Sequence, residues 1–138
     1  MGMDVTGQCL CGAVRFTGTL VAGGGISVCH CGQCRRWASG PFMSEHMADG
    51  VTLTSTDGLA WYASSDFAER GFCRHCGSIL FWRRQGEARD WAVSIGSLAE
   101  GPDRRIAEHI WVDDKPDFYD FADHAPRLTA AQAMARGE

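Results

Sequence analysis

Residues 71–82 read GFCRHCGSILFW, a C-x-x-C-G knuckle that runs straight into a stretch of β-branched and aromatic residues. Cys73 and Cys76 present paired sulfurs. Gly77 after them can take the left-handed conformation that turns nearby backbone N–H groups toward thiolates. The run that follows, SILFWRR at 78–84, has the composition of a half-buried strand. A closed structural metal site needs four donors, so the knuckle requires a partner pair elsewhere. Cys9 and Cys11 in QCLCGAV supply one, because residues i and i+2 of an extended strand face the same side. Cys9, Cys11, Cys73 and Cys76 can therefore close a structural Cys₄ zinc, stapling the N-terminal strand to the middle of the chain.

The chain has seven cysteines, and the three left over, Cys29, Cys31 and Cys34, sit in CHCGQC at 29–34. A three-donor zinc keeps its fourth position open, which distinguishes catalytic from structural zinc. Other readings stay open at this level. A single pair can be buried hydrophobic cysteine or a redox C-x-x-C. Seven thiolates with one shared can also build a two-zinc cluster in which one cysteine bridges. An odd count fits a disulfide framework poorly, and in a reducing compartment clustered cysteines are more often metal ligands or catalytic thiols.

Composition bounds what surrounds these clusters. At 138 residues the chain suits one domain, and its 45% hydrophobic and 22% charged fractions are those of an ordinary globular protein. Seventeen glycines suit many tight turns. The net charge is −4 and the basic residues fall in scattered pairs (Arg35-Arg36, Arg83-Arg84, Arg104-Arg105), which argues against nucleic acid as a partner. No apolar stretch approaches about 20 residues, and MGMDVTGQCL lacks the charged-then-apolar order of a secretory signal. No membrane span and a cytoplasmic location are expected.

Short apolar and β-branched runs punctuate the chain at 13–20, 25–31, 51–55, 59–64, 78–84, 91–98 and 107–112, mostly separated by Gly, Asp or Ser turns. A mainly antiparallel β protein is predicted, with short helical pieces after Cys34 (RRWAS) and at 116–121 (PDFYDF). The Ala-rich end, PRLTAAQAMARGE, reads as a short C-terminal helix or a frayed tail.

The segments GQCLCGAVRF (7–16), CHCGQCRRW (29–37), RGFCRHCGSILFW (70–82), SIGSL (94–98) and EHIWVDDKPDFYDF (108–121) together resemble the glutathione-dependent formaldehyde-activating enzyme family, also known as the centromere-protein-V-type domain. The resemblance implies one zinc-binding β domain over residues 1–121, with 122–138 as a C-terminal tail or helix. It implies small, coiled antiparallel sheets around two zinc ions, in an architecture related to methionine sulfoxide reductase B. Carried over to this chain, it assigns structural zinc to Cys9, Cys11, Cys73 and Cys76, and catalytic zinc to Cys29, Cys31 and Cys34. The implied activity is condensation of glutathione, or a similar thiol, with formaldehyde or a small aldehyde, classed in reverse as a carbon–sulfur lyase. The alternative function is a non-catalytic zinc module that binds a partner or stores metal. The oligomeric state is not legible.

Three thiolates around Zn²⁺ leave a formal charge of −1, poorly suited to ionising water and suited to holding a further thiolate. Positive charge should compensate. Arg35 and Arg36, directly after Cys34, are the candidates and can also meet the carboxylates of glutathione, against the plainer reading of a solvated pair. Trp37, Phe42 and Trp111 are candidate pocket walls, although aromatics in a small β protein are more often core. His30 is expected on the face opposite its neighbouring cysteines, His75 exposed within the knuckle, and Asp113-Asp114 in a turn or solvated loop.

Overall fold

The computed structural model describes residues 2–100 and 104–137. In chain order its elements are β1 (Met3–Gln8), β2 (Val14–Leu20), β3 (Ile26–Cys29), α1 (Gly32–Ala38), β4 (Phe42–Met47), β5 (Val51–Thr56), β6 (Leu59–Ala63), β7 (Ala68–Cys73), β8 (Ile79–Arg84), β9 (Trp91–Ser94), β10 (Ile106–Ile110) and α2 (Ala130–Ala135). Single 3₁₀ turns cover Ile95–Ser97 and Val112–Asp114. The chain divides into two compact units, one from Met1–Gly24 and Ser44–Asp103, the other from Gly25–Met43 and Arg104–Glu138. Among the described residues no helix is long and apolar enough to cross a membrane.

The first unit is built from antiparallel pairings: β1-β2-β5 in one sheet, and β4-β9-β8-β7-β6 in succession in the other. Strand β2 shows how the sequence selects it. Val14, Phe16 and Leu20 point inward and are buried, while Arg15, Thr17 and Thr19 alternate away from them and are exposed. Phe16 meets Phe81 edge-on at 5.0 Å between centroids, and Phe81 meets Trp91 at 5.1 Å. Each such ring contributes roughly 1.5–3 kcal/mol by leaving water. Cys9 and Cys73 belong to the same buried cluster, so one cysteine of each pair is anchored in the core.

In the second unit β3 runs parallel to β10, with Val28 opposite His109 and Cys29 opposite Ile110. Backbone bonds from His109 N to Pro126 O and from Leu128 N to His109 O, both 2.8 Å, lay the segment around Arg127 along β10. Helix α2 begins with a capping box, Thr129 accepting from Gln132 N while the Gln132 side chain accepts from Thr129 N. Arg136 forks onto both Glu108 carboxylate oxygens at 2.9 and 3.0 Å, tying α2 to β10.

The mainly β class and the short C-terminal helix agree with the sequence reading, but several elements differ. Strands β1, β4 and β7 were not predicted. Their sequences, MDVTGQ, FMSEHM and AERGFC, carry charged residues, and Glu45 and Arg70 are themselves buried, so no clean alternation marks them. The helix expected at 116–121 is absent. Lys115 Nζ instead donates to the carbonyls of Pro116 and Tyr119, holding the backbone of that stretch in a turn. The run at 25–31 ends as a strand at Cys29, because Cys31 already caps α1.

Candidate functional site

The four-sulfur group lies wholly in the first unit: one sulfur from each of Cys9, Cys11, Cys73 and Cys76 falls within 4.8 Å of the others. Cys9 and Cys11 converge through a turn rather than through strand pleating, since β1 ends at Gln8 and Gly12 N bonds back to Cys9 O. Their sulfurs stand 3.6 Å apart, and Cys11 Sγ lies 3.8 Å from Cys73 Sγ. The knuckle is closed by bonds from Gly77 N to Cys73 O and from Cys73 N to Ser78 O, with Gly77 at φ +77°. Gly58 covers it so closely that a Cβ there would stand 2.5 Å from the His75 ring and 3.2 Å from Cys73 Sγ. Ser78 is a hub: its Oγ lies 3.2 Å from Cys76 Sγ and accepts from Leu10 N at 2.9 Å.

These thiols do not titrate alike. The Ser78 hydroxyl and backbone N–H hold Cys76 down to about 5. At Cys9 burial works against ionisation, but the Val14 N–H, 3.3 Å from Sγ, and the sulfurs of Cys11 and Cys73 prevail and lower its pKa. At Cys11 the Ala13 N–H favours the thiolate, yet desolvation and three sulfur neighbours outweigh it and push the thiol up to about 11. Four sulfurs this close cannot all ionise without a cation among them. The donor set, all thiol and closed on four sides, fits structural zinc.

The second group, Cys29, Cys31 and Cys34, also has its sulfurs within 4.8 Å of one another and lies in the second unit. Cys29 ends β3, Cys31 is the N-cap of α1, and its Sγ accepts from Cys34 N at 3.3 Å. Local geometry therefore gathers three sulfurs at the junction of a strand and a helix. Hydrogen bonding to Cys31 and Cys34, followed by burial, drives the Cys29 thiol far upward. A cation relieves this crowding as well, and three thiols fit zinc with a position to spare.

His30, between two of these cysteines, joins a chain that sequence reading did not anticipate. Its Nδ1 lies 2.8 Å from the Tyr119 hydroxyl and its Nε2 lies 2.8 Å from His109 Nδ1. His109 Nε2 in turn lies 2.9 and 3.1 Å from the two carboxylate oxygens of Asp123. Both histidines are about 1% exposed, and Phe121 stands edge-on to each ring. Burial, aided by the charge of His109, lowers His30 to about 4. Burial opposes ionisation of Asp123, but His109, the Ala125 N–H and Arg127 hold it below the ordinary carboxylate range. Tyr119 is raised, first by burial, with Arg35 opposing and the charges of Cys29 and Cys34 adding to the rise.

Among the candidate substrate residues, Arg35 is half-buried and its Nε is buried without a hydrogen-bond partner. Arg36 is exposed. Trp37 packs on Phe42 at 5.1 Å. Trp111 is half-buried and left-handed at φ +57°, a strained conformation for a bulky side chain. Asp113 and Asp114 both serve as backbone acceptors, Asp113 Oδ1 from Ala130 N at 2.7 Å and Asp114 Oδ2 from Gly32 N at 3.2 Å. His75 bonds Asp57 at 3.2 Å on the surface.

Comparison with known proteins places this geometry. The family model described as glutathione-dependent formaldehyde-activating enzyme matches residues 4–114. A Schizosaccharomyces pombe protein named as an uncharacterized lyase is 31% identical over 131 residues, 95% of each chain. A Halomonas elongata protein, provisionally named a glutathione-dependent formaldehyde-activating enzyme, is 29% identical over 127 residues, covering 84% of this chain and 80% of that protein. A crystal structure of a Rhodobacter sphaeroides protein shares the fold, with TM-score 0.62 at 21% identity over 88% of this chain and 98% of the other.

Proposed function

This chain belongs to the glutathione-dependent formaldehyde-activating enzyme family, and from that premise we propose that it joins the thiol of glutathione to formaldehyde, giving S-hydroxymethylglutathione, and runs the reverse cleavage as a carbon–sulfur lyase. Cys9, Cys11, Cys73 and Cys76 hold one zinc in a closed site, and Cys29, Cys31 and Cys34 hold a second with one position free. Zinc in the second site would keep a coordinated thiol ionised at neutral pH and polarise a carbonyl oxygen.

The observation that carries this reading is the three-cysteine group with the unpartnered guanidinium nitrogen of Arg35 in the same unit. A purely structural zinc closes on four protein donors, whereas this group stops at three. Arg35 offers a buried positive charge that offsets the cysteines and a donor fork for a substrate carboxylate. Arg36, Trp37 and Trp111 complete the proposed substrate surface, the tryptophans as apolar walls. Glutathione supplies the matching chemistry of one thiol and two carboxylates.

The test is direct. With ¹³C-formaldehyde and glutathione, zinc-loaded protein should accelerate formation of the hydroxymethyl adduct in proportion to its concentration, as followed by ¹³C NMR. Two bound zinc ions with no acceleration over the spontaneous reaction would instead support a non-catalytic zinc module.

A further inference from the structure

The face of β1 and β2 that turns away from the core carries polar side chains in cross-strand pairs, Thr6 opposite Thr17 and Gln8 opposite Arg15. These residues line a cleft whose lining is completed by residues 78–80, Ser94 and residues 96–99, among others. Two bonds tie the two sets together: Ala99 N donates to Thr6 O at 3.0 Å, and Leu10 N donates to Ser78 Oγ at 2.9 Å. The cleft measures about 810 Å³, within the range of small-molecule sites, and lies wholly in the first unit. It takes in most of the SIGSL run at 94–98, to which neither cysteine group gives a role.

The lining is rich in donors and carries one positive charge. The chain has 17 acidic and 13 basic residues, yet among the residues lining the cleft Arg15 is the one Asp, Glu, Lys or Arg. Cys9 adds to the wall, but it is 2% exposed and its sulfur stands 3.6 Å from that of Cys11. Arg15 Nε donates to Gly12 O at 2.9 Å, which fixes the guanidinium and leaves its Nη groups for a ligand. Arg15 Nη2 and Gln8 Nε2 approach one point, 3.3 and 3.7 Å from where a Cβ on Gly12 would stand, and Gly12 at φ +80° is a position that side chains rarely occupy. Among the described residues the side chains of Gln8, Thr17, Thr54 and Ser94 have no hydrogen-bond partner, so an amide and three hydroxyls remain for the body of a ligand. The carboxylate of Glu100, next to the lining residue Ala99, is engaged by Thr6 N at 2.9 Å and Thr6 Oγ1 at 3.0 Å.

We infer that this cleft binds a small organic carboxylate whose body carries amide or hydroxyl groups, as in a short peptide with a free C-terminus. Arg15 and Gln8 take the carboxylate, the guanidinium through its Nη groups and the carboxamide through its Nε2 hydrogens. A guanidinium supplies charge in a planar fork that matches a carboxylate, which a point charge does not. Thr17, Thr54 and Ser94 meet the polar body, since each hydroxyl can donate to a carbonyl or accept from an N–H. Binding here is non-covalent and independent of the thiol–aldehyde reaction, because the cleft contains no residue of the three-cysteine group.

The probe that tests this is N-acetylglycylglycine, which has a carboxylate, amide groups and no thiol, with its C-terminal amide as the neutral control. Titrated into ¹⁵N-labelled, zinc-loaded protein, it should shift the backbone signals of Gln8, Arg15, Gly96 and Ser97 saturably. The neutral control should bind roughly 5- to 20-fold more weakly, and Arg15→Gln should impose a similar loss, as expected of a charge-assisted hydrogen bond at an exposed site. Gly96→Leu is the second variant. No atom lies within 4 Å of a Cβ built on Gly96, so the new side chain enters open space at the cleft and should block binding with an unchanged circular dichroism spectrum. Shifts confined to residues 29–38, or none that saturate, would overturn the site. Equal affinity for the neutral control would overturn carboxylate recognition, and unchanged affinity in both variants would overturn the location. Inorganic phosphate moving the same signals while the peptide leaves them still would overturn the organic ligand in favour of a simple anion.

Discussion

Replacing Cys31 by serine separates two jobs that one sulfur performs. Cys31 is a member of the three-cysteine group and also the N-cap of α1, its Sγ accepting from Cys34 N at 3.3 Å. Serine is among the preferred N-caps, so its hydroxyl inherits the backbone bond while removing the soft thiolate donor. Alanine removes both. Losing a cap costs about 1 kcal/mol, which for a chain of this length corresponds to a fall of roughly 3–5 °C in Tm. With zinc retained at the four-cysteine group in both variants, Cys31→Ala should therefore melt roughly 3–5 °C below Cys31→Ser. Zinc content should drop from two to one per chain in both variants, as measured by atomic absorption after gel filtration, with turnover lost. Two zinc ions retained by Cys31→Ser would refute its assignment as a ligand. Unfolding of Cys31→Ser with one zinc still bound would show that this group, rather than the four-cysteine group, sustains the fold.

Three further outcomes follow from the same geometry. Cys73→Ser should abolish cooperative folding, because Cys73 is fully buried in the core and structural zinc supplies about 10–16 kcal/mol in zinc-finger peptides, comparable to an entire domain's margin of about 5–15 kcal/mol; a native circular dichroism spectrum and sharp melting in that variant would contradict it. Gly58→Ala should lose at least about 1–2 kcal/mol through its φ of +94° alone, and should release zinc to a chelator faster because the new methyl displaces the His75 ring beside Cys73; unchanged Tm and release rate would count against the close packing of the knuckle. Arg35→Met should weaken glutathione binding by roughly 10- to 100-fold in calorimetry, the worth of a charge-assisted hydrogen bond at about 1.5–3 kcal/mol; unaltered affinity would exclude Arg35 from the substrate surface.

The two cysteine groups were legible because chelate spacing is local: Cys73 and Cys76, Cys9 and Cys11, and the CHCGQC run each bring their sulfurs together within a few residues. The route differs from the one expected, through a turn and a helix cap instead of extended strands. Strands such as β2 and β8 announce themselves by composition. Strands β4 and β7 do not, because they bury Glu45 and Arg70, which in a sequence read as surface. His30 was expected to face away from the cysteines, but what occupies that other face was out of reach. Its partners Tyr119 and His109 lie 89 and 79 positions away; the pairing of β3 with β10 brings up His109, and the irregular segment after β10 brings up Tyr119. The available signal was weak: two histidines in predicted strands, with a tyrosine and an aspartate in the segment after the second.

Zinc-edge X-ray absorption of freshly purified protein, with and without glutathione, tests the central claim most directly. A closed four-cysteine site and a three-cysteine site average about 3.5 sulfurs per zinc. Glutathione should raise that average to about 4, whereas its S-methyl derivative, which cannot supply a thiolate, should leave it unchanged. A sulfur count already at 4 with a zinc–zinc vector would indicate a shared-thiolate cluster. A count near 3.5 that glutathione does not change would contradict an open site for a substrate thiol.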